Sequence, residues 1–137
     1  MATIFTRIVE GEIPCHKVYE DENYLAFLDI NPLQEGHTLV IPKREVNYIF
    51  DADDDLHAGL WNVAKKIGKA IEKVVPCKRI GITVIGLEVP HAHIHLIPLK
   101  TLFDMDFRKP KLTFSPEEFQ SLAGRISAEV ENSEVVK

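Results

Sequence analysis

Residues 91–99 read HAHIHLIPL, and they hold three of the chain's six histidines at every second position. An extended strand sends alternate side chains to opposite faces. His91, His93 and His95 are then expected on one face, with Ala92, Ile94 and Leu96 pointing into the other. The stretch predicts a strand with a core side and a chemically equipped side.

The segments around it supply the rest of a sheet. RIGITVIG (79–86) is rich in β-branched residues and predicts a largely buried strand. KVYEDENYLAFLDINP (17–32) predicts two short strands around an acidic turn at Glu20–Asn23, the second ended by Asn31–Pro32. HTLVIPK predicts another strand, beginning at His37. Between 53 and 75, Leu56, Leu60, Ala64, Ile67, Ile71 and Val74 recur at spacings of three and four, one apolar stripe of a helix. Aspartates crowd its first turn, lysines its second half, and Pro76 stops it. A last helix starts at Ser115–Pro116–Glu117–Glu118, a serine cap with glutamate three residues later, and turns Phe119, Leu122, Ala123, Ile126 and Val130 inward. Strands that are mostly neighbours in sequence predict an antiparallel sheet with helices against it, an α+β domain.

The totals bound what such a domain does. A chain of 137 residues fits one domain, 1–137, with room for a real core. A net charge of −5 argues against a general nucleic-acid or membrane-surface binder, though a local pocket for a small anion is compatible with it. Cys15 and Cys77 make neither a disulfide framework nor a paired-cysteine metal site and read as small buried apolar residues. Arg7, Glu10 and Glu12 interrupt the N-terminal segment, so no signal-peptide core is expected and the cytoplasm is the default compartment.

Three alternate imidazoles support two kinds of chemistry. They can converge on a metal such as zinc, given further ligands. Alternatively, one ring attacks phosphorus while its neighbours bind or protonate phosphoryl oxygens, a role suited to a base that is uncharged and nucleophilic near neutral pH. The triplet alone leaves both open. The chain carries no HExxH, no CxxC and no glycine-rich phosphate loop. Phosphate would have to be met by imidazoles, backbone N–H groups and His37. His16 and His57, each alone in a polar setting, read as ordinary surface histidines.

HAHIHLI fits at every place the His-φ-His-φ-His-φ-φ signature of the histidine-triad (HIT) family of nucleotide hydrolases and transferases, φ being hydrophobic. Upstream, IFTRIVEGEIPCHKVYEDENYLAFLDINPLQEGHTLVIPK resembles that family's N-terminal half almost continuously. The resemblance covers roughly residues 3–100. It implies a five-stranded antiparallel sheet with two main helices, usually paired as a homodimer, and leaves about 101–137 as a divergent C-terminal helical extension. It implies attack on the α-phosphorus of a purine nucleotide phosphoramidate or dinucleoside polyphosphate. His93 would be the nucleophile and form a nucleotidyl-histidine that water resolves. His91 would hold His93, His95 would bind phosphate oxygen or assist the leaving group, and His37 matches a fourth histidine near the nucleophile. Asp29 matches the acceptor of ribose hydroxyls, and it also suits the turn before Asn31–Pro32. Phe5, Ile8, Phe27 and Ile30 match the apolar base pocket, with core packing as the plain reading of Phe27.

Before the triad the family commonly has Gly-Gln-x-Val-x-His, and here GLEVPH replaces it. Gly86, Glu88 and Val89 stand where phosphate is met, Leu87 replaces the glutamine, and Glu88 replaces a residue that is often serine. A carboxylate there repels phosphate unless it faces solvent or the departing group. These changes motivate a second hypothesis, a nucleotide-binding regulatory or scaffold protein with little catalysis. Some members hold a structural zinc with an N-terminal Cys-x-x-Cys and a histidine after IPK. The matching places are Thr3, Thr6 and Glu45, so neither that zinc nor any cofactor is expected. Arg108, Lys109 and Lys111 form a basic patch in the extension that reads as a solvated loop.

Overall fold

The computed structural model describes residues 2–135, the side chain of residue 135 excepted. A short helix α1 (Ile4–Val9) precedes strands β1 (Lys17–Glu20), β2 (Tyr24–Leu28) and β3 (Thr38–Pro42). The long helix α2 (Asp54–Val74) follows, then β4 (Arg79–Thr83), β5 (Ile94–Leu99) and α3 (Pro116–Val135). The strands form one antiparallel sheet in the order β1-β2-β3-β5-β4. This is the α+β architecture expected, five strands with helices against them.

Local chemistry explains most boundaries. Asp21 Oδ1 accepts from the N–H groups of Asn23 and Tyr24, closing the acidic turn between β1 and β2. Asp53 caps α2 by accepting from Leu56 N–H, with Asp54 and Asp55 in the first turn. The Ser115–Glu118 capping box is reciprocal: Ser115 N–H donates to Glu118 Oε1 and Glu118 N–H to Ser115 Oγ. Between β2 and β3 the chain turns at Gly36, whose φ of +93° puts it in the left-handed region. A Cβ there would also lie 2.9 Å from Val75 Cγ2, so the turn is pressed against the end of α2.

The sheet is buried on both sides over β2 and β3, whose residues are all buried. One face, with Tyr24, Ala26, Leu28, Val40, Ile94 and Leu96, packs on the apolar stripes of α2 and α3. The other, with Leu25, Phe27, Leu39 and Ile41, is covered by Phe5 of α1 and the residues around it. Each fully buried aliphatic or aromatic side chain of this kind stabilises the fold by about 1.5–3 kcal/mol.

Three expectations need correcting. The strand around the histidines begins only at Ile94, so His91 and His93 sit on an extended lead-in that the sheet does not pair. Alternation survives because Ala92 still enters the α2 side of the core and its N–H donates to Val46 O. β4 ends at Thr83 instead of 86, and it is half-exposed instead of largely buried. It is an edge strand, and Ile82 and Ile85 stand 48% and 43% exposed. Cys15 and Cys77 are free and only half-buried.

Candidate active site

β5 and its lead-in bring the three histidines to the face opposite α2. His91 is 0% exposed, His93 7% and His95 7%, with His37 joining them at 1%. The His93 and His95 rings lie 4.8 Å apart between centroids, and those of His37 and His95 5.2 Å. Phe5 meets His93 edge-on at 4.9 Å and touches His91 and Phe27 in the same way. Such aromatic contacts contribute about 0.5–1.5 kcal/mol each beyond area burial.

Hydrogen bonds fix where each ring keeps its proton. A neutral imidazole has one N–H donor and one acceptor nitrogen. Leu33 N–H donates to His37 Nδ1, so the His37 proton is on Nε2 and goes to His95 Nδ1 at 3.0 Å. His95 must then carry its own proton on Nε2. His93 Nδ1 donates to the His91 carbonyl at 2.7 Å, which leaves its Nε2 as a bare lone pair. His91 Nε2 donates to Pro42 O at 2.8 Å, leaving Nδ1 to accept from Thr3 Oγ1 at 3.1 Å.

Two ring atoms remain without a protein partner: His93 Nε2, an acceptor, and His95 Nε2–H, a donor. Among the described residues no fully buried side-chain nitrogen or oxygen lacks a hydrogen bond. Both atoms therefore reach solvent, side by side. Burial keeps all four rings neutral: it pushes His37 down to about 3 and His95 to about 4, and it also lowers His91 and His93.

Asp29 closes one side. Its Oδ1 accepts from Asn31 N–H at 2.8 Å, so it does cap the turn, while its Oδ2 lies 3.7 Å from His37 Nε2. Burial raises its carboxyl above the ordinary range. Asp29, His37 and His95 offer three metal-ligand atoms within 4.8 Å of one another. His37 Nε2 and His95 Nδ1 are bonded to each other, so a metal drawing on either atom would have to displace the shared proton.

The remaining expected residues divide. Phe5, Phe27 and Ile8 come together under the histidines, with Val89 packed against them. Ile30 is 64% exposed, at the rim. Gly86 has a φ of +72°, and Leu87 is 87% exposed. Glu88 is exposed, yet its charge acts on both His93 and Asp29.

A family model described as HIT domain matches residues 10–102. The chain belongs to the HIT family. An HIT-like protein of Borreliella burgdorferi is 38% identical over 135 residues, covering 93% of this chain and 97% of that one. An adenosine 5'-monophosphoramidase of Schizosaccharomyces pombe is 36% identical over 133 residues, covering 95% and 99%. The crystal structure of a zinc-bound histidine triad family protein from Mycobacterium smegmatis superposes with a TM-score of 0.82 at 27% identity, covering 100% and 99%. Relatives of this HIT protein thus include a named nucleotide hydrolase.

Two features of the HIT site escaped the sequence. Phe107 packs edge-on against His95 at 5.0 Å and His37 at 6.2 Å, capping the pair. The segment is held there by Lys109 Nζ on Gln34 Oε1 and by Leu112 N–H on Pro32 O. Lys111 Nζ bonds Phe107 O, and its charge reaches Asp29 and His37. The basic patch is therefore split: Arg108 is bonded to Asp106 at the surface, while Lys109 and Lys111 border the site. The second feature is α1, whose six residues are too few to show a period. No local signal marks the contact of 107 with 37 and 95.

Proposed function

We propose that this HIT protein hydrolyses a purine nucleotide phosphoramidate through a covalent nucleotidyl-histidine on His93. One observation carries the reading: a bare imidazole lone pair, His93 Nε2, opens to solvent beside a proton donor, His95 Nε2–H. His93 Nε2 attacks the α-phosphorus, forming a P–N bond as the bond to the leaving group breaks. His95 Nε2–H steadies a phosphoryl oxygen or protonates the departing atom. Water then attacks the same phosphorus, releasing the nucleoside monophosphate and restoring the lone pair. The His91 carbonyl, accepting from Nδ1–H, stabilises the positive charge that His93 acquires.

Asp29 accepts from ribose hydroxyls, while Phe5, Ile8, Phe27 and Ile30 form the apolar seat for the base. Gly86 and Val89 bring backbone to the phosphate side. Glu88 favours an amine leaving group over a polyphosphate, because an exposed carboxylate attracts a departing cation and repels further phosphates. Support from relatives is the fission-yeast enzyme's name, adenosine 5'-monophosphoramidase.

The test is turnover of adenosine 5'-phosphoramidate by wild type and His93→Asn, with mass spectrometry of acid-quenched wild type. The expected result is a loss of at least a thousandfold in the variant and one nucleotidyl group on the wild-type chain. Wild-type turnover by His93→Asn would remove the nucleophile assignment.

A homodimer is the assembly the surface favours. β4 offers an unpaired strand edge beside exposed Ile82, Ile85, Tyr48 and Phe50, around a hollow of about 650 Å³. Sedimentation analysis of wild type and Ile82→Lys decides it, a lighter species being expected only for the variant.

A further inference from the structure

The places where some HIT proteins hold zinc do not fit that metal here. Thr3 and Thr6 offer neutral hydroxyls and Glu45 a carboxylate, in place of the thiolate and imidazole that zinc prefers. The fourth available atom, His91 Nδ1, already takes a proton from Thr3. What stands there is a hydrogen-bonded clasp in which the two threonine hydroxyls lie 3.2 Å apart, Thr3 Oγ1 3.1 Å and Thr6 Oγ1 3.4 Å from His91 Nδ1. Thr6 Oγ1–H donates to Glu45 Oε1 at 2.9 Å, and Thr3 N–H donates to the same oxygen at 2.9 Å. Thr6 N–H donates to Thr3 Oγ1 at 3.0 Å, capping α1. With the Thr6 proton directed to Glu45 at 2.9 Å, the Thr3 hydroxyl has two acceptors, Thr6 Oγ1 at 3.2 Å and His91 Nδ1 at 3.1 Å, and it is the nearest hydroxyl to that ring nitrogen.

We propose that Thr3, Thr6 and Glu45 are positioning residues that act through His91 and, through its carbonyl, on His93. Glu45 orients the Thr6 hydroxyl, Thr6 frees the Thr3 proton, and Thr3 locks His91 with its own proton on Nε2, bonded to Pro42 O. The His91 carbonyl is thereby held 2.7 Å from His93 Nδ1, which keeps the His93 lone pair on Nε2. The same clasp seats α1, and with it Phe5, over the reactive ring. It supplies without metal what a bound ion supplies elsewhere, a fixed ring and a fixed first helix. The effect on rate rests on His93 as the nucleophile; the effect on His91 does not.

Thr3→Ser and Thr3→Asp separate positioning from helix capping. Both side chains cap a helix well, yet only serine has a proton to give to His91 Nδ1. Serine is expected to keep wild-type kcat and wild-type nitrogen shifts of the His91 ring. Aspartate is expected to lower kcat about tenfold with KM within about twofold, the cost of a misdirected nucleophile. It is also expected to raise the pH at which His91 takes its second proton, read by 15N NMR of ring-labelled protein. Glu45→Gln should keep wild-type kcat, because the amide oxygen accepts both bonds, whereas Glu45→Ala should lower kcat as Thr3→Asp does while lowering the pH at which His91 takes its second proton, since the Glu45 charge raises it. Wild-type kcat together with unchanged His91 shifts in Thr3→Asp would overturn the proposal. If wild type turned over no nucleotide conjugate, the His93 reading would fall, and the ring shifts would still decide the clasp.

Discussion

Acidifying the protein from pH 7 to pH 5 should cost it stability through two buried rings. His37 and His95 stay neutral in the fold down to about 3 and about 4, against an ordinary 6.5 in the open chain. Below pH 6.5 the unfolded chain therefore binds protons that the folded chain refuses. Stability is complete above about pH 7 and falls as pH drops toward the folded values. The slope is about 1.4 kcal/mol per pH unit for each ring once pH is well below 6.5. Allowing for the gradual onset, each ring contributes a loss of about 2 kcal/mol between pH 7 and 5, about 4 kcal/mol for the pair. That is a large share of the roughly 5–15 kcal/mol that holds a domain folded. His91 and His93 act in the same direction, while the raised carboxyl of Asp29 opposes them. The clean measurement is therefore a difference. Urea unfolding of wild type and His37→Gln at pH 7, 6 and 5 should show the variant less stable at pH 7 but losing about 2 kcal/mol less on acidification. Equal losses within about 0.5 kcal/mol would refute a buried, neutral His37.

Phe107→Ala should admit water to the His37–His95 pair, raise the pH at which they protonate and move the acid limb of the rate profile upward; a superimposable profile counts against the cap. Phe5→Ala removes a buried ring from the sheet's second face and from His93, and should lower stability by about 3 kcal/mol in urea. Gly59→Ala would ordinarily strengthen α2 by about 1 kcal/mol. Here the new Cβ would fall 2.0 Å from the Tyr24 hydroxyl, which bonds Leu56 O, so a net loss of about 1–3 kcal/mol is expected by calorimetry.

Regular elements were readable because their signals are local and repeated. The stripe from Leu56 to Val74, the Asp53 cap and the Ser115 box each specify structure within a few residues. The triad was readable for the same reason: period two in HAHIHLI places three rings on one side whether or not the sheet pairs all of them. β4 was misread because β-branched richness marks a strand without saying how many neighbours it has. Arg79–Thr83 turned out to lie at an edge, with α2 covering only part of it. Phe107, Lys111 and the Thr3–Thr6–Glu45 clasp were illegible as contacts, since each depends on distant segments returning to one place. Asp29 bore out the turn reading with one oxygen and points the other toward His37.

The bonds from Thr3 to His91, His37 to His95 and Pro42 to His91 span 88, 58 and 49 residues, while those that set the His93 and His37 protons span two and four. The His91 contacts and the His37–His95 pair therefore form only after residues 3–95 have closed on one another. Fraying of the first few residues, the sort of opening that costs least in any fold, would release His91 from Thr3 while sparing the scaffold. The site's geometry is tied in this way to a closed fold and not to the HAHIHLI motif alone.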